Sequence, residues 1–103
     1  MPWKMVEDTQ GPMLRWQTAL TAAAPDAGCT PLRLIRDATV HVEGEFGAAS
    51  VEIYGSNSGR GEVPMLYLRT DQIEPVLPVY LLGARVIDAD ETTDLLVTVA
   101  GRR

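Results

Sequence analysis

Thr39-Val40-His41-Val42-Glu43-Gly44-Glu45-Phe46-Gly47-Ala48-Ala49-Ser50-Val51-Glu52-Ile53-Tyr54-Gly55-Ser56-Asn57 is the stretch that decides the fold. Val40 and Val42 leave one face of an extended chain, and Thr39, His41 and Glu43 leave the other. Small residues then interrupt, and Val51 and Ile53 resume the alternation against Ser50, Glu52 and Tyr54. Successive side chains of a strand point to opposite faces, so apolar residues at every second position mark a half-buried strand. Two such runs joined by a short Gly/Ala turn predict a β-hairpin.

Upstream, Leu14, Trp16, Thr18 and Leu20 alternate with Met13, Arg15, Gln17 and Ala19, which favours a first strand over the alternative, a helix that Leu, Trp and Ala would also tolerate. Residues 22–31 hold Pro25, Gly28 and Pro31 and predict a loop, because proline gives no ladder donor. Residues 32–35 predict a short strand. Downstream, residues 56–61 read as a turn and 63–69 as a strand, with Pro64 near its start. Residues 71–78, with Pro75 and Pro78, predict a loose surface turn. Residues 79–87 are the longest apolar segment, suited to a central strand covered on both faces or to a subunit interface. Residues 88–94 form an acidic turn, 95–100 a closing strand, and Arg102-Arg103 a basic end.

The sum is about seven short strands at roughly ten-residue intervals, the pattern of an all-β antiparallel sandwich or jelly-roll-like domain. The expected division is an irregular N-terminal arm over residues 1–12, ending in Gly11-Pro12, and a single β-sandwich domain over 13–103. Trp3, Met5 and Val6 on the arm need a surface, either the domain's own sheet or another subunit.

At 103 residues the chain suffices for one domain with one core. Its net charge of −5 provides no basic face for a nucleic-acid backbone. Cys29 is the one cysteine, which excludes an internal disulfide and a cysteine-based metal site, and it reads as a small buried thiol. No run approaches the roughly 20 apolar residues of a membrane helix. The start lacks the basic-then-apolar order of a signal peptide, so synthesis and use or assembly in a cytoplasm are expected.

Chemistry is hard to find. His41, the one histidine, lies on the polar face of a strand and reads as a surface or interface residue, not an acid–base catalyst. Ser50, Ser56 and Ser58 lack a nucleophile elbow. The glycine-rich residues 55–61 lack the Lys-Ser/Thr ending of a phosphate loop. Asp88, Asp90, Thr92 and Asp94 fall at alternate positions, which makes Asp88, Asp90 and Asp94 weak metal candidates. However, Thr93 and Val99 stand where an EF-hand carries Gly and Glu, so a solvated turn is the simpler reading. Phe46 at the turn either folds back as a core plug or marks a contact surface. The expectation is a protein that is not an enzyme and holds no cofactor.

Residues 40–57, Ala84-Arg85-Val86, Thr92-Thr93-Asp94-Leu95-Leu96-Val97-Thr98-Val99 and the closing Arg102-Arg103 resemble a group of small tailed-bacteriophage virion proteins. That group shows a strand, a Gly-x-Phe-Gly-Gly-Ala turn, a Val-x-Ile/Leu-x-Gly-Ser-Asn strand and a late Thr-Thr-x-Leu-x-Val-Thr strand ending in arginines. The chain departs after Asn57, where Ser58-Gly59-Arg60-Gly61 replaces the group's Gly-Thr-x-Trp turn. The resemblance implies a β-sandwich subunit of the particle, in particular a head decoration (cement) protein. Such a protein would sit as a homotrimer on the major capsid protein, on the capsid surface of the virion, after assembly in the host cytoplasm, without contact to nucleic acid or membrane. Interface candidates are then Trp3, Met5, Val6, Phe46, Tyr80 and Leu82. The alternatives are a neck, tail or fibre protein, or a Ca2+- or carbohydrate-binding module using the 88–94 turn.

Overall fold

The computed structural model describes residues 3–6, 13–32 and 35–102, which form nine antiparallel strands where about seven were expected, one of them, β1, on the arm expected to be irregular. They are β1 (Lys4–Val6), β2 (Met13–Thr21), β3 (Asp26–Pro31), β4 (Arg36–Glu45), β5 (Ser50–Ser56), β6 (Val63–Leu68), β7 (Gln72–Pro75), β8 (Leu81–Ile87) and β9 (Asp94–Arg102). One sheet has the order β1-β2-β9-β4-β7, the other β3-β8-β5-β6. The Gly11-Pro12 breaker, residues 33 and 34, and Arg103 lie outside the described residues.

The pairing is nested. β2 pairs with β9, β3 with β8, β4 with β7 and β5 with β6. This is one long antiparallel hairpin folded over on itself, closed by the further pairs β4–β9 and β5–β8. The result is a jelly roll, with β1 added along β2. Between the sheets lie Leu20, Val40, Val42, Leu95, Val97 and Val99 from one side and Val51, Ile53, Leu68, Leu82 and Ala84 from the other, each at most 1% exposed. Burying each of the larger side chains stabilises the fold by about 1.5–3 kcal/mol before entropy is charged against it.

β4 and β5 do not form the expected hairpin. They belong to different sheets, joined by a corner over residues 46–49. Alternation identifies a strand and its buried face but not its neighbour. A corner that crosses the core satisfies the same pattern, because Val40 and Val42 of one sheet and Val51 and Ile53 of the other are all buried in the sandwich.

Residues 22–31 contain a strand where a loop was expected. β3 is an edge, and its ladder to β8 tolerates the irregularity through a bulge between Asp26 and Cys29, with Gly28 at φ 71°. Pro31 ends that edge, where its missing donor costs little. Likewise β7 occupies part of the expected loose turn at 71–78, again as an edge that ends in a proline. Leu32 and Ile35, expected in a short strand, are outside the strands.

Residues 81–87 of the longest apolar segment form β8, with one face in the core and Arg85 partly exposed on the other. The strand is central, between β3 and β5, with Leu82, Ala84 and Val86 in the core. Leu82, proposed for an interface, is therefore a core residue at 0% exposure, with no surface to offer a partner.

Candidate functional site

The exposed face of the second sheet carries a polar cluster centred on Arg85. β5–β8 register sets Arg85 beside Glu52, and its Nε donates to Glu52 Oε1 at 3.0 Å. Its Nη2 donates to Glu62 Oε2 at 2.7 Å, and Asp26 Oδ2 lies 3.8 Å from Nη1. The guanidinium also sits 4.0 Å from the centroid of the Tyr54 ring, a cation–π contact. Burial works against the Arg85 charge, but Glu52, Glu62 and then Tyr54 and Asp26 outweigh it, raising its pKa above the ordinary arginine value.

Tyr54 lies flat beneath this arginine, 1% exposed, and donates its hydroxyl to Asp26 Oδ1 at 2.7 Å. Burial, then the Asp26 hydrogen bond, pushes its phenol well above the usual tyrosine range. The ring fits only because position 83 is glycine. A Cβ there would stand 2.3 Å from the ring. Nearby Cys29 is partly exposed on β3, and burial followed by Glu62 and Asp26 raises its thiol pKa, which lowers its reactivity. Within the cluster Tyr54, Glu52 and Glu62 are each hydrogen-bonded, and Glu62 also lines the open groove beside β6.

Asp90 in the acidic turn is committed to the fold. Its Oδ1 accepts from the Thr92 hydroxyl at 2.6 Å and the Thr92 amide at 2.9 Å, and its Oδ2 accepts from the Ala48 amide at 2.9 Å. The Thr92 hydroxyl, then the Ala48 and Thr92 amides, hold its carboxyl down at about 2. Thr93 completes the lock by donating its hydroxyl to the Phe46 carbonyl at 2.9 Å. Gly47, at φ 61°, is required because a Cβ there would meet Asp90 Oδ1 at 2.4 Å. Asp88 is exposed at φ 58° and Asp94 is exposed at the start of β9. Among the described residues, no group of three His, Cys, Asp or Glu side chains is placed to hold a metal ion.

The other candidates are dispersed. Trp3 is buried at 6% exposure, and its indole Nε1 donates to the Gly28 carbonyl at 2.9 Å, tying β1 across to β3. Phe46 folds back onto the core. Met5 and Tyr80 remain exposed, and Val6 is half-buried at the β1 edge. His41 stands on the outer face of the first sheet, 3.8 Å from Glu43. Arg102 pairs with Asp37 at 2.6 Å.

Sequence reasoning missed the main apolar surface. Val63, Met65, Leu77, Pro78 and Val79 line an open groove of about 610 Å3 between β6 and the segment after β7, with Leu77 74% exposed. A leucine held between Pro75 and Pro78, in a segment too short for its own core, was the available signal. No family model matches the chain, and comparison with curated proteins gives no significant match.

Proposed function

We propose that this protein is a non-enzymatic structural subunit of a bacteriophage virion, a head decoration (cement) protein that binds the major capsid protein on the outer surface of the shell and stabilises it. The groove beside β6 carries the reading. Val63 and Leu77 expose large apolar side chains and both line one open concavity, the kind of surface that proteins use for contact with other macromolecules. The fold supports the reading at a coarser level, since jelly rolls build viral shell domains as well as lectins. Fold alone does not choose between those uses. The sequence resemblance to virion proteins weighs toward the first.

The test is the copy number of this protein relative to the major shell protein in purified particles of the phage that encodes it. A ratio near one supports a decoration protein. A handful of copies per particle moves the assignment to neck, tail or fibre, and absence from the particle overturns it. Leu77→Glu, a change at an exposed position, is expected to leave the fold intact and abolish binding to capsids stripped of the native protein.

A further inference from the structure

β6 is the last strand of the second sheet, paired with β5 on one side and, among the described residues, with nothing on the other. The remaining outer edges are blunted. β1 is 3 residues long, β7 is 4 and ends in a proline, and β3 is bent by its bulge. Such devices keep sheets from joining edge to edge. β6 carries Val-Pro-Met-Leu-Tyr-Leu, with no charge over its 6 residues, and exposes Tyr67 at 57%. Pro64 removes one ladder donor near its beginning, and the other residues of the strand keep theirs.

We propose that two copies of this chain join through β6, antiparallel across a two-fold axis, making the second sheet continuous from one copy to the other. The strand is self-complementary in charge. Glu62 precedes it and Arg69 follows it, so full antiparallel overlap sets Glu62 of each copy opposite Arg69 of the other. Arg69 is exposed and takes part in no ion pair among the described residues. Glu62 is exposed beside Arg85, on the same outer face.

The strand is also self-complementary in its faces. Pro64 pairs with Tyr54 and Tyr67 with Glu52, and both partners belong to the outer polar face. In the overlapped register Pro64 falls opposite Tyr67, outer face to outer face. Two positions three apart share a face here only because of the irregularity between Ile53 and Tyr54, which inserts Met65 into β6. A regular strand would put them on opposite faces. The contact is isologous, so each pairing occurs twice and the assembly closes at two copies. The inference stands apart from the virion reading, and it gives a two-fold where the resemblance implies a three-fold.

Sedimentation equilibrium of the whole chain over a concentration series tests it. The mass is expected to rise from 11.2 kDa to twice that value. Arg69→Glu and Glu62→Lys, each checked for native fold by circular dichroism, are each expected to weaken association by about tenfold or more, because like charges then face each other at both ends. An equimolar mixture of the two variants restores opposite charges at both ends, and the dimer is expected to return. A parent protein that stays monomeric, a trimer, dimerisation unchanged in the variants, or a mixture that stays monomeric would each overturn the proposal.

Discussion

Asp90 illustrates how a residue that reads as a ligand is used as a brace. Its two carboxylate oxygens receive the Ala48 amide and the Thr92 amide and hydroxyl, fastening the β4–β5 corner to the turn before β9. Its carboxyl is held at about 2 against an ordinary 3.8, so its stabilisation is full above the ordinary value and is lost as pH falls toward 2. The melting temperature of the parent protein is therefore expected to drop across that window. Asp90→Asn is expected to melt lower at neutral pH and to show a shallower acid decline. Arg85 is the corresponding brace on the second sheet. Arg85→Met leaves the Glu52 carboxylate nearly buried and unpaired and is expected to cost about 1–3 kcal/mol in urea unfolding. Glu62→Gln, at a half-exposed partner, should cost no more than about 1 kcal/mol. Neither brace was legible beforehand. Glu52 and Arg85 meet only through the β5–β8 register, and Ala48 and Asp90 are 42 positions apart. Sequence period reveals which face a residue takes, not which residue lies across from it.

Elements were legible where alternation was strong, even with Pro64 at the start of β6. β2, β4, β5 and β9 lie where the periodicity puts them. β3 and β7 escaped because both are edges, where glycine, a bulge or a terminal proline is tolerated. The link between β4 and β5 was misread because a hairpin and a core-crossing corner obey the same alternation. The resemblance to virion proteins rests partly on that corner. Its Phe-Gly-Ala-Ala and Thr-Thr-Asp stretches meet in one hydrogen-bonded unit, so those residues are determinants of the fold. β1 carries the sharpest prediction at this scale. Trp3 is part of the core and is held by Gly28 on the opposite sheet, so Trp3→Ala is expected to lower stability by about 3–5 kcal/mol, measured by urea denaturation. Removing the arm should therefore weaken the sandwich as well as any contact the arm makes with a partner.

For the whole molecule, nested pairing makes nearly every ladder long-range in sequence, apart from the β5–β6 hairpin and the short β1–β2 pair. Loop-closure entropy must be met before such contacts form. Refolding from urea is therefore expected in roughly milliseconds to seconds, the range of β-sandwiches, as followed by stopped-flow tryptophan fluorescence. A submillisecond phase accounting for the full amplitude would contradict this view of the topology. The class of architecture was readable from strand spacing. The two sheets and their order were not, because spacing carries no information on which strands cross the core.

Apart from the three-residue β1, β2 finds its neighbour only in β9, so along that long ladder Leu14 waits for Gly101 and Trp16 for Val99. During synthesis the long ladder of β2 and one of the two ladders of β4 have to wait until β9 leaves the ribosome. A polypeptide stopped short of β9 lacks Leu95, Val97 and Val99 of the core and the strand that joins β2 to β4, so it is expected to be cut by proteases far faster than the full chain.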